Sequence, residues 1–107
     1  MKAAYFVGTA RKDLARFPEA VRRRAGHELF MVQVGRTPSD FKSMPDVGTG
    51  AYEIRVRDET GAFRVIYVAK FDDVIYVLHA FQKKTRATAK ADTDLAARRY
   101  KLIVEEL

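Results

Sequence analysis

Between Ala51 and Phe81 the chain carries three apolar runs of strand length, AYEIRVRD, AFRVIYVAKF and VIYVLHAF, with only a short turn between one and the next. Runs joined so tightly can only lie side by side as antiparallel strands, because a parallel neighbour needs a crossover of about a dozen residues. The first run alternates: Tyr52, Ile54 and Val56 point one way, and Glu53, Arg55 and Arg57 the other. Asp58-Glu59-Thr60-Gly61 reads as a hairpin turn, with Gly61 free to take a positive φ. The second and third runs are apolar on both faces, which places them inside the sheet. Asp72-Asp73 marks the turn between them.

The flanks read as helices. Ala3 to Val7 is short, apolar and β-prone, a first strand that stops at Gly8. A short helical turn is expected around Arg11 to Arg16, and a longer helix with Pro18 as its first residue. In the longer helix Val21, Ala25, Leu29 and Val32 form a stripe at helical spacing, and Gly35 is the stop. Residues 36–50, with two prolines and two glycines, read as a loop. After Phe81 a last helix is expected, capped by Thr88, with Ala96, Tyr100, Ile103 and Leu107 as its stripe. The order is β-α-α-β-β-β-α. This is an α+β domain with an antiparallel sheet, an N-terminal helical hairpin and a C-terminal helix. A chain of 107 residues makes this a single domain, 1–107.

Composition removes whole classes of chemistry. With no cysteine there is no disulfide framework, thiol nucleophile or Cys-bound metal, and two histidines, His27 and His79, are too few for an ordinary histidine metal site. Neither metal nor cofactor is expected. No apolar run approaches the roughly 18 residues of a membrane span, and Ala3–Val7 is too short for a signal peptide, so a cytoplasmic protein without membrane contact is the expectation. Lys plus Arg is 20 against 14 Asp plus Glu, a net charge of +6, which favours polyanionic partners.

Position sharpens that bias. From Val74 to Ala91 there is no acidic residue, and the same stretch holds His79, Lys83, Lys84, Arg86 and Lys90. In a regular hairpin Arg55, Arg57 and Arg64 share one face, so this face and the exit of the last strand make a basic surface suited to phosphate. Arg22-Arg23-Arg24 fans around its helix and reads as a solvated side. His79 shares the parity of Ile75, Val77 and Phe81, and is either a proton carrier or a packed histidine. His27 is structural or exposed. Tyr67 and Tyr76, at the parity of Val65, Ala69, Val74 and Leu78, read as core. Phe81, beside the basic turn, is the better stacking surface for a base. Nothing raises Asp46 above a turn residue.

The stretch KSMPDVGTGAYEIRVRDETGAFRVIYV, followed by VIYVLHAFQKKT and a charged last helix, resembles the RelE/HigB toxins of bacterial toxin–antitoxin pairs, and among them the phage-derived HigB-like branch. The likeness runs from about Asp13 to Tyr100 and lies in the ordered set EIR, FRVIY and HAFQKKT rather than in any one motif. It implies a RelE-like fold and a toxin that enters the ribosomal A site, cleaves mRNA there as a metal-independent endoribonuclease and arrests translation. It also implies a cognate antitoxin, often a helix-turn-helix protein, beside the ribosome and mRNA as partners.

Metal-free RNA cleavage needs a group to activate the 2′-hydroxyl, charge stabilisation on the phosphorane and a proton for the leaving 5′-oxygen. Carried over by position, the family's basic residues fall on Arg55, Arg64 and, near the end of the last strand, Lys83. Glu53 stands where the family has a lysine, and its flanking arginines favour its charged form. The family's tyrosine beyond that strand has no match; Lys84, Thr85 and Arg86 stand there. The expected catalytic set is therefore Arg55, Arg64, Lys83, His79 and Glu53, with Arg57, Lys84, Arg86 and Phe81 binding RNA. Two alternative readings stand beside this one: a non-catalytic ParE-type toxin on the same scaffold that poisons DNA gyrase, and a phage accessory nucleic-acid-binding protein without toxicity.

Overall fold

The computed structural model describes residues 1–107. In chain order the elements are β1 (Ala3–Phe6), α1 (Ala10–Ala15), α2 (Glu19–Gln33), β2 (Phe41–Ser43), β3 (Ala51–Asp58), β4 (Gly61–Val68), β5 (Val74–Lys83) and α3 (Lys90–Glu106). The three apolar runs form the centre as expected, with β3, β4 and β5 antiparallel neighbours. Asp58 pairs with Gly61 across a two-residue turn, and Gly61 takes φ 139°.

The sheet is larger and less uniform than an antiparallel meander. It has five strands in the order β1-β5-β4-β3-β2. β1 pairs with β5 in parallel, and the helical hairpin that follows β1 carries the chain across the sheet to β2 at the opposite edge. The segment read as a loop contains β2, a three-residue edge strand against β3. Its partners in β3 supply the ladder, so three residues without strong β patterning are enough.

Apolar patterning decides the layers. Val21, Ala25, Leu29 and Val32 of α2 bury against Ile54, Val56, Phe63, Val65 and Tyr67. On the other face α3 lays Ala96 and Ile103 over Ile66, Val68 and Leu78, while Tyr100 is only half-buried and Leu107 is exposed. α3 covers only the part of this face near Ala51 and Val68. The part toward the β3–β4 turn stays open, and there the basic residues lie.

Two helix starts differ from expectation. Pro18 has ψ 145° and precedes α2 instead of opening it, so the first helical residue is Glu19. Ala89, not Thr88, is the residue before α3, and no side chain caps that end. The Thr88 hydroxyl is used elsewhere. A third difference lies within β5. Ile66 pairs with His79 and Tyr67 with Val77, which leaves Leu78 as an extra residue, a β-bulge. The bulge reverses the alternation, so His79 and Phe81 face away from the side of Ile75 and Val77. It also separates the two tyrosines: Tyr67 packs under α2, and Tyr76 packs on the α3 side.

Candidate active site

The strand register brings the basic residues together. Arg55 lies directly opposite Arg64, Arg64 opposite Phe81, and Ala62 opposite both Arg57 and Lys83. One row further in, Ile66 stands between Glu53 and His79. The four cations Arg55, Arg57, Arg64 and Lys83 line one depression of about 310 Å3, and the fifth lining residue is Asp40. No apolar side chain lines it.

Each cation is held differently. Arg64 is only 4% exposed. Its Nη1 donates to the Phe63 carbonyl at 3.0 Å, and its Nε lies 3.3 Å from Glu53 Oε1. Burial lowers its pKa, Glu53 raises it in part, and Arg55 and Arg57 lower it again. A guanidinium keeps its proton through such a shift, so Arg64 is a fixed buried charge. Arg55 is half-exposed, and its Nε and Nη2 both donate to Asp40 Oδ1, at 3.0 and 2.9 Å. Its backbone N–H donates to the Asp40 carbonyl at 2.9 Å, which fixes β2's approach to β3. Arg57 is exposed, and its carbonyl accepts from Arg24 of α2 at 2.7 Å. Arg24 thus ties a helix to the site strand and is more than a solvated side chain. Lys83 is half-buried at the rim. Desolvation lowers its pKa below 10.5, with Arg64 next, Glu53 partly offsetting, then Arg57 and Arg55.

The two other candidates for proton transfer sit below this depression and do not line it. Glu53, 2% exposed, accepts from the Thr88 hydroxyl at 2.6 Å on Oε2 and faces Arg64 with Oε1. His79, 6% exposed, places Nε2 2.8 Å from Asp92 Oδ1, while Nδ1 is buried without a partner. Its one polar partner is a carboxylate from the first turn of α3. Phe81 stacks on the His79 ring at 4.6 Å and 24° and remains half-exposed beside Arg64. Lys84 is exposed and lines a separate groove on the far side of β5, and Arg86 is exposed in the segment leading to α3. His27 is exposed on α2.

Asp40, Thr88 and Asp92 were not among the site residues expected from the sequence. Asp40 lies in the Pro/Ser/Asp-rich stretch, where an aspartate reads as a turn former. Thr88 reads as a helix cap. Asp92 ends the acid-free stretch and lies in the first turn of α3.

A family model described as phage-derived Gp49-like protein matches residues 12–101. No curated protein is significantly similar to the chain. Among solved structures, the fold is similar to an arginine-to-alanine double mutant of the E. coli toxin RelE in the free state, at 20% identity over 95% of this chain and 97% of that one, with TM-score 0.62. It is similar to the isolated E. coli RelE toxin at 18% identity over 99% and 98%, with TM-score 0.61. It is also similar to a chain of the intact E. coli RelBE toxin–antitoxin complex, at 19% identity over 79% of this chain and all of that one, with TM-score 0.60. These likenesses extend the RelE-like architecture over nearly the whole molecule. No helix is long and apolar enough to cross a membrane.

Proposed function

Since the chain belongs to the phage-derived Gp49-like family, we propose that it is the toxin of a toxin–antitoxin pair, a ribosome-dependent endoribonuclease of RelE type and of the HigB-like branch. The observation that carries this reading is the depression in which Arg55, Arg57, Arg64 and Lys83 converge. Four cations around about 310 Å3 repel one another, and a bound phosphodiester relieves that repulsion.

The chemistry follows from the geometry. Attack of a ribose 2′-hydroxyl on the adjacent phosphorus builds negative charge on a five-coordinate phosphorane. Arg55, Arg57 and Arg64 stabilise that charge with donors already held in place. Lys83, whose surroundings weaken its hold on its proton, gives that proton to the leaving 5′-oxygen. Asp40 is the carboxylate on the rim, its side chain 58% exposed, and it receives the 2′-hydroxyl proton. Glu53 and His79 act from beneath: Glu53 sets the Arg64 guanidinium, and His79 supports the Phe81 ring on which a base stacks. Lys84 and Arg86 bind flanking phosphates. The neutralising partner is an antitoxin, in line with the RelBE assembly among the structural neighbours. A helix-turn-helix protein with an acidic segment complements the net +6 charge.

The test is induction of the protein alone in cells, with mRNA 5′ ends mapped. Cuts in phase with codons that vanish when translation is blocked support the ribonuclease. DNA-damage signalling with intact mRNA overturns it in favour of a gyrase poison. Undisturbed growth overturns it in favour of an accessory nucleic-acid-binding protein.

A further inference from the structure

β5 is longer than the strand beside it. β1 pairs with it only from Val74 to Val77. At Gly8, with φ 56°, the chain turns away into α1, and the Arg99 guanidinium then closes the edge by donating to the Leu78 carbonyl at 2.9 Å. Beyond that point the outer edge of β5 has no strand partner. Phe81 and Lys83 direct their backbone groups to Arg64 and Ala62 of β4, so those of Ala80, Gln82 and Lys84 point outward. No backbone hydrogen bond outside the ladder reaches them.

This bare edge lines a cavity of about 690 Å3 whose other wall is the α1–α2 junction. Arg16 and Lys84 stand there as exposed cations. The one carboxylate present, Asp13, already accepts from the Thr9 hydroxyl at 2.8 Å. Exposed apolar surface comes from Pro18, over a floor made by the nearly buried rings of Phe17 and Phe63, 5.0 Å apart. Alternating outward N–H and C=O groups match another polypeptide backbone. A nucleic-acid backbone offers those carbonyls few donors.

We propose that the edge of β5 from Ala80 to Lys84 is a docking groove for an extended segment of a separate polypeptide, acidic on one side and apolar on the other, which continues the sheet end to end with β1. The acidic side chains meet Arg16 and Lys84, and the apolar ones lie on Pro18 above the Phe17–Phe63 floor. The groove shares no lining residue with the basic depression, and its test reads peptide binding rather than RNA cleavage, but His79, Phe81 and Lys84, which the ribonuclease reading also uses, line it.

The experiment titrates the full-length, 15N-labelled protein with a capped synthetic heptapeptide of alternating glutamate and valine. Saturable shifts and about tenfold slower amide exchange at Gln82 and Lys84 are expected. Arg16→Glu weakens binding about tenfold, and Gln82→Pro, which removes one outward donor without touching the ladder to β4, abolishes it. A peptide with lysine in place of glutamate does not bind. Failure to bind overturns the proposal, as do shifts confined to the β2 edge at Phe41–Ser43 or to Arg55 and Arg57. Tighter occupation of the same amides by a short ribo-oligonucleotide overturns it too.

Discussion

Arg55 and Arg64 stand directly opposite each other on adjacent strands, and each is held by its own carboxylate, Arg55 by Asp40 at 2.9 Å and Arg64 by Glu53 at 3.3 Å. Like charges in a cross-strand pair are destabilising. Here two acids from different parts of the chain balance them, one exposed and one buried. Arg57 and Lys83 have no such partner, so the depression keeps an excess of positive charge for an anion.

The buried pair sets the cost of mutating Arg64. Arg64→Ala leaves the Glu53 carboxylate buried without its cation and lowers stability by about 3–5 kcal/mol. Adding Glu53→Ala recovers part of that loss, because the stranded charge is gone. Urea unfolding of the wild type, both single variants and the double variant measures this; equal, additive losses would show that the two side chains do not interact. Growth arrest is best read in Arg55→Ala, whose side chain is half-exposed.

Lys83 couples stability to alkaline pH. Its folded-state pKa is lowered from 10.5, so between that lowered value and 10.5 the unfolded chain holds the proton more often than the folded one. Stability attributable to this residue therefore rises with pH across that window. Lys83→Met should melt higher than wild type at neutral pH, and the gap should close as the pH approaches 10.5. Melting curves of both proteins from pH 7 to 10.5 test it; a gap that does not change with pH contradicts it.

On the proposed ribonuclease reading, Asp40 and Glu53 are the two carboxylates available as base. Asp40→Asn keeps an oxygen for Arg55 but cannot take a proton, and is expected to slow cleavage about 10²–10⁴-fold. Glu53→Gln, sealed under Arg64 and Thr88, is expected to alter melting more than cleavage. Single-turnover cleavage of ribosome-bound mRNA separates them, and a fully active Asp40→Asn assigns the base elsewhere.

Asp92 is the partner of a nearly buried imidazole whose other nitrogen has none. Asp92→Ala leaves His79 without any polar partner and costs about 1–3 kcal/mol, at the low end because the Asp92 side chain is 30% exposed. Asp92→Asn keeps a hydrogen bond and costs less. Thermal melting ranks the two, and the reverse order would show that the pair does not hold α3 to the sheet.

Two glycines move stability in opposite directions. A Cβ on Gly48 would meet the Tyr100 ring at 2.5 Å, and that ring is anchored by its hydroxyl donating to the Thr49 carbonyl at 2.7 Å. Gly48→Ala is expected to cost about 1–3 kcal/mol. Gly26 lies in α2 with nothing within 4 Å of its added Cβ. Gly26→Ala is expected to stabilise by about 0.5–1 kcal/mol. Chemical denaturation of both variants decides.

The three central strands, the tight β3–β4 turn, the α2 stripe and the shared face of Arg55, Arg57 and Arg64 were all legible in the residues alone. Each follows from local periodicity: an alternating strand closed by a two-residue turn leaves only one register in which its apolar side is buried. β5 is apolar on both sides, so its pattern could not reveal the bulge at Leu78, and only the packed sheet assigned His79 and Phe81 to the site face. Asp40, Thr88 and Asp92 were equally hidden. Their contacts join segments 15, 35 and 13 residues apart in the chain. Tertiary packing decided those meetings, because a lone aspartate or threonine in a turn carries no local pattern that names a distant partner.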